Sequence, residues 1–182
     1  NLKQVKFQND SKLQTIEALA FAYSNIKCIT IPSNVTHIKD KSFLNCNKLQ
    51  RVEFANNSKL QTIGYDVFVD SLIERISFPP ELNKIGTYAF HHCYKLERID
   101  IPDDSKLQTI DDGGLCATGI TCFSIPPLVK KLLSCTFAWC KNLQIVEIND
   151  MSNIELIEKD AFKYCYCGIC MISAKLRNKL NS

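Results

Sequence analysis

The chain repeats itself. The phrase Lys-Leu-Gln-Thr-Ile stands at residues 12–16, 59–63 and 106–110, and a worn copy, Asn-Ile-Glu-Leu-Ile, follows at 153–157. A large apolar residue recurs as an anchor at Phe21, Phe43, Phe68, Phe90, Leu115, Phe137 and Phe162. The anchor spacings alternate between 22 and 25 residues, so two slightly different units share a period of 47. Self-similarity at this period is the mark of a stacked repeat. A unit this short cannot bury its own Ile, Leu and Phe, so neighbouring units must bury them together.

Each unit has one skeleton. It opens on a strand-like piece of the form L-x-x-I-x-I, as in Ile26/Ile29/Ile31, Leu49/Val52/Phe54, Ile73/Ile76/Phe78 and Leu96/Ile99/Ile101. The last two apolar positions alternate and so face one side of a strand. A turn follows, then an apolar pair three apart such as Val35/Ile38 or Leu60/Ile63, then the anchor. Short units turn with Pro32, Pro79-Pro80 or Pro126-Pro127, which ends the strand sharply. Long units turn through polar loops such as Asn56-Asn57-Ser58, where side chains bond back to the backbone.

These features predict an α/β solenoid of about seven coils. The L-x-x-I-x-I pieces should form a parallel sheet on one face, roughly 30 to 35 Å long at about 4.8 Å per strand. The region around each anchor should form short helical turns on the other face. All 182 residues read as one domain, with repeats over about 1–165 and a degenerate cap over about 166–182. The first piece, Leu2/Val5/Phe7, would leave an open edge, so further chain before it, or a covering molecule, is expected.

Composition narrows the function. With 46% apolar and 23% charged residues the chain has globular proportions, and its net charge of +3 does not mark a nucleic-acid binder. No apolar run approaches the length of a membrane-spanning helix, so no membrane insertion is expected in this segment. No G-x-S-x-G, H-E-x-x-H or phosphate-cradling loop occurs, so the chain does not read as an enzyme, and no cofactor is expected. His37, His91 and His92 read as solvated surface residues.

The unit I-P-x-x-V-x-x-I-x-x-x-x-F-x-x-C-x-x-L-x-x-I-x-I, seen in Ile31, Pro32, Val35, Ile38, Phe43, Cys46, Leu49, Val52 and Phe54, resembles the BspA-type leucine-rich repeat. Departures are Leu115 for the anchor Phe, Ser24 and Ser71 where Cys is expected, and Gly after the second Ile only at Gly64 and Gly86. The resemblance implies a protein of the cell surface or secreted space, of the kind found in bacteria and mucosal parasitic protists. Its partners would be proteins or glycans on host cells or extracellular matrix. The alternative is an intracellular scaffold for protein–protein interaction, its thiols kept reduced.

Outward strand positions form two rows. Gln4, Cys28, Arg51, Arg75, Arg98, Cys122 and Ile145 make one, and Lys6, Thr30, Glu53, Ser77, Asp100, Ser124 and Glu147 the other. Arg51, Arg75 and Arg98, with Glu53 and Asp100 beside them, are therefore the candidate partner-binding residues. Two readings stay open: a binding column, since Arg is enriched at hot spots, or a charge ladder that satisfies itself.

Ten cysteines need a reading of their own. Cys46, Cys93, Cys140 and Cys165 each follow an anchor by three and read as small buried hydrophobes. Cys140 and Cys165 are one coil apart and could approach each other, and a Cys116–Cys135 disulfide is open. Cys165, Cys167 and Cys170 spell C-x-C-x-x-C, an incomplete zinc set, and read instead as filling for the cap. Tyr23, His92, Trp139 and Tyr164 follow anchors by two, and Tyr88 and Tyr94 flank another. They read either as packing between coils or as a lateral interaction stripe. Three sequons, at Asn9, Asn34 and Asn56, lie in inter-strand turns.

Overall fold

A computed structural model describes residues 2–8, 10–148 and 153–165, and the backbone of 169–172. The chain winds through about six turns of a parallel β-solenoid, each turn adding one strand to a broad face and a two-residue strand to a second sheet. The second sheet begins with β1 (Thr15–Ile16), and the face with β2 (Cys28–Ile31). They alternate through β3 (His37–Ile38), β4 (Arg51–Phe54), β5 (Thr62–Ile63), β6 (Arg75–Ser77), β7 (Lys84–Ile85), β8 (Arg98–Asp100) and β9 (Thr109–Ile110). Next come β10 (Cys122–Ser124), β11 (Lys131–Leu132), β12 (Ile145–Ile148), β13 (Leu156–Ile157) and β14 (Ile169–Ile172).

Strand register follows the sequence pattern. Cys28 pairs with Arg51, Arg51 with Arg75, and Arg75 with Arg98, so equivalent residues of successive units stack in columns. Inward members are buried: Ile29, Val52, Ile76, Phe123 and Val146 each stay below 5% exposed while their neighbours face solvent. Behind them the anchors stack as rings, with centroids 5.1 Å apart for Phe21–Phe43, 5.4 Å for Phe43–Phe68 and 5.1 Å for Phe68–Phe90. Leu115 interrupts the ring column, which resumes at Phe137 and Phe162 at 5.3 Å.

No helix forms among the described residues, which corrects the expectation of short helical turns. The reason lies in the hydrogen bonds. Around the anchor Phe43, the N–H groups of Lys41, Phe43 and Asn45 donate to Tyr65, Val67 and Val69 of the next coil. Ser42 and Leu44, between them, donate back three residues to Lys39 and Lys41. A helix would turn every N–H onto its own coil. Here alternate donors are turned outward by left-handed residues two before and two after each of the first six anchors. These are Leu19/Tyr23, Lys41/Asn45, Asp66/Asp70, Tyr88/His92, Gly113/Ala117 and Cys135/Trp139. A non-glycine there costs roughly 1–2 kcal/mol, offset by a bond between coils contributing about 1 kcal/mol.

Two further differences concern the sheets. Residues 2–8 form no strand, although Asn25 N–H still donates to the Leu2 carbonyl at 2.9 Å. The face is also not one seven-stranded sheet. It divides into β2-β4-β6-β8 and β10-β12-β14, and the second sheet divides between the same coils, into β1-β3-β5-β7-β9 and β11-β13. At this boundary Ile99 and Ile101 are only half-buried. The anchor turns continue across it, since Tyr88, Phe90 and His92 donate to Asp112, Gly114 and Cys116. Beyond it, β14 carries the face ladder past residue 165, pairing Ile145 with Ile169 and Ile148 with Ile172.

Candidate functional site

The three arginines lie where the register places them, as neighbours down the middle of the exposed face. Their side chains are 66%, 60% and 64% exposed for Arg51, Arg75 and Arg98. Arg51 Nε lies 3.4 Å from Glu53 Oε1 within its own strand. Asp100 bridges the other two: Arg75 Nε donates to Oδ2 at 2.9 Å across the strand pair, and Arg98 Nε donates to Oδ1. Ser77 Oγ adds a third bond at 3.0 Å. Partial burial pushes the Asp100 carboxyl up, but the bonds from Arg98, Arg75 and Ser77 outweigh it and hold the group below the usual carboxylate range.

Sequence reasoning named the column but not its flanks. Lys27, Gln50 and Glu74, each just before the outward Cys or Arg, join Arg51, Glu53 and Arg75 around a shallow groove of about 670 Å³. Their signal was present, since each occupies the same position of its unit. The groove mixes acids, bases and an amide, groups that can hydrogen-bond a ligand.

The lateral aromatics gather on the anchor turns. Trp139 and Tyr164 stack with centroids 4.1 Å apart, and His92 stacks on Tyr94 at 5.2 Å. His91 and His92 are half-buried rather than fully solvated, and their rings touch at 3.7 Å. Burial first, and then the neighbouring His92, lower the pKa of His91, while Asp70 sits 3.3 Å from His92 Nδ1.

Cys28, Cys46, Cys93, Cys116, Cys122, Cys135 and Cys140 are free thiols. Cys46, Cys93 and Cys140 are buried, Cys28 and Cys165 are half-buried, and Cys122 is exposed. Cys116 packs with Cys135, Ala117 and Ala138, and burial, then Cys135, push its pKa to about 11. Cys167 lies outside the described residues, and with it the C-x-C-x-x-C reading. Among the described residues no cluster of three His, Cys, Asp or Glu is arranged to hold a metal ion. No helix among them is long and apolar enough to cross a membrane. Of the sequons, Asn34 is engaged, donating to the Ser11 carbonyl at 3.0 Å and accepting from Lys59, whereas Asn56 is exposed.

Solved structures share this architecture. The pneumococcal vaccine antigen PcpA is 27% identical over 78% of the chain, with a TM-score of 0.73. A leucine-rich repeat protein of T. pallidum is 24% identical over 93%, with a TM-score of 0.75. A leucine-rich cell surface protein of Faecalibacterium prausnitzii is 20% identical over 79%, with a TM-score of 0.53. The chain spans 37% of the PcpA structure, 76% of the T. pallidum protein and 44% of the F. prausnitzii protein. No curated protein matches the chain. The family model described as BspA type leucine rich repeat region matches in six copies over residues 1–97 and 61–179. By its repeat, its fold and that match, the chain belongs to the BspA-type leucine-rich repeat family.

Proposed function

We propose that the chain is a non-catalytic module of a surface or secreted protein, attaching to protein or glycan partners on host cells or matrix. The observation that carries this reading is the in-register column Arg51, Arg75 and Arg98 on an exposed sheet. Guanidinium groups about 4.8 Å apart match successive carboxylates or sulfates on an extended ligand, each of which can take paired hydrogen bonds. Asp100 and Glu53 hold the arginine heads in place and oppose indiscriminate capture of anions. Two similar proteins are described as a vaccine antigen and a cell surface protein, which favours an extracellular setting.

The test is a triple Arg51→Ser, Arg75→Ser, Arg98→Ser variant in an attachment assay on host cells and matrix proteins. A folded variant should lose attachment, and wild-type attachment should weaken with added salt. Undiminished attachment by the folded variant would overturn the assignment of this face.

A further inference from the structure

The coil anchored by Leu115 is the most worn copy of the repeat, and its wear has a shape. Two and four residues after the anchor, the coil before it carries His92 and Tyr94, and the coil after it carries Trp139 and Lys141. Between them this coil carries Ala117 and Gly119. The aromatic stripe therefore has a gap one coil wide, open to solvent as a groove of about 450 Å³. His91, His92 and Tyr94 wall it on one side, Trp139, Lys141 and Asn142 on the other, with Ala117 to Gly119 as floor.

The floor is fixed by backbone contact. A Cβ on Gly119 would run into the Tyr94 carbonyl oxygen, so the coils meet too closely for a side chain there. Ala117 N–H donates to the Ala138 carbonyl at 2.8 Å and ties the floor to the far wall. Two coil steps set the walls about 10 Å apart. Two van der Waals contacts of about 4 Å each then leave room for one ring lying between them.

The walls indicate what kind of ring. Tyr164, in the following coil, covers one face of Trp139, which leaves the opposite face toward the gap. Trp139 is 47% and Tyr94 63% exposed, large apolar surfaces for a soluble fold to leave open. Lys141 Nζ stands over the Trp139 ring, 5.9 Å from its centre, a cation beside the platform. The acid nearest on the other wall, Asp70, is paired with His92. An aromatic face for C–H groups, an amide at Asn142 and a cation at the rim suit a polar ring carrying an anionic substituent. A plain aromatic side chain would leave Lys141 and Asn142 unused.

We propose that this slot binds a saccharide ring bearing a carboxylate, stacked on Trp139 with its acid group held by Lys141. The site is separate from the arginine face and stands whether or not that face binds. Trp139 is the chain's sole tryptophan, so its emission reports on the slot directly.

The test titrates the folded protein with glucuronic acid, with glucose and tyrosine amide as comparison probes, following tryptophan emission and saturation-transfer NMR. Glucuronic acid should give a saturable change with a dissociation constant of about 1 mM, ordinary for a ligand of about 13 heavy atoms. Glucose should bind at least about tenfold more weakly, the small end of what loss of a charged hydrogen bond does. Lys141→Gln should abolish that preference, Tyr94→Ala should weaken both sugars, and the triple arginine variant should bind as wild type. Both single changes fall on exposed side chains, so the fold is kept. No saturable response to glucuronic acid up to tens of millimolar would overturn the proposal. So would tyrosine amide binding as tightly as the acid sugar, or an acid preference that survives in Lys141→Gln.

Discussion

Ser71 Oγ lies 3.2 Å from Cys93 Sγ in the next coil, and the thiol in turn donates to the carbonyl of Phe68 at 3.1 Å. Its one proton spent there, the sulfur accepts from the hydroxyl. The pairing recurs at Ser24 with Cys46, whose thiol donates to the Phe21 carbonyl, while Thr118, 3.2 Å from Cys140, donates with that thiol to the Leu115 carbonyl. These cysteines are therefore links between coils as well as small buried hydrophobes.

Thiol reactivity should follow this arrangement. Burial pushes Cys93 up to about 12, so its thiolate is about a thousandfold scarcer than that of an ordinary thiol. A thiol reagent at pH 8 should label exposed Cys122 within minutes and Cys93 only on unfolding. Because the unfolded thiol ionises first, the contribution of Cys93 to stability is intact below pH 9.0 and declines from there toward about 12. Peptide mapping after timed labelling checks this, and prompt native labelling of Cys93 would contradict the buried link.

Phe90→Ala should destabilise the fold by about 3–5 kcal/mol. The ring is fully buried, stacks on Phe68 at 5.1 Å and meets Phe78 at 5.8 Å. It is also the last ring before Leu115 thins the column, so little can move in to fill the space. Thermal unfolding should fall by more than about 6 °C. A melting point within a degree or two of wild type would refute the stacked column.

Leu19→Gly should raise stability, the reverse of the usual result for glycine. Leu19 has φ of 62° and is 56% exposed, so its side chain returns little for the strain. Relief of roughly 1–2 kcal/mol exceeds the roughly 0.5–1 kcal/mol of added backbone freedom. The N–H bond to Asp40 is kept. The melting point should rise by roughly 2 °C. A fall of that size would show that the left-handed turns are not strained.

Asp100 should stay ionised in acid. The held-down carboxylate contributes stability that is fully present above the ordinary, unfolded Asp pKa and is lost as pH falls through its lower folded value. Carbon-detected NMR titration of the wild type should place Asp100 below its exposed neighbours, and Arg75→Ser and Arg98→Ser should each move it upward. If neither does, the arginines do not hold it.

The register of the face was legible in the sequence because a period-2 pattern repeated at fixed intervals leaves one way to stack. Arg51, Arg75 and Arg98 could be placed in a column from subtraction alone. The turns were not legible. Positions such as Leu19, Tyr88 and Trp139 carry residues that rarely adopt positive φ, and only the bond each makes to the next coil puts them there. The break between β8 and β10 left no sign in the strands themselves, because Leu96/Ile99/Ile101 and Ile120/Phe123/Ile125 follow the same pattern as their neighbours, although the worn anchor Leu115 lies between them. The lateral groove was half legible. Its aromatics were visible, but the missing side chains at Ala117 and Gly119 matter only once coils are stacked.

A module attached in the way proposed above would be pulled as well as bound. Where both sheets are continuous, tension along the solenoid axis is shared among two ladders and the anchor turns. Between β8 and β10 the ladders stop, and the bonds from Tyr88, Phe90 and His92 to the next coil carry the load on one side of the molecule. Eccentric loading of that kind opens a joint by bending rather than shear. Under a pulling force the molecule should yield first at this seam, as two rigid halves, with the arginine column whole on one of them.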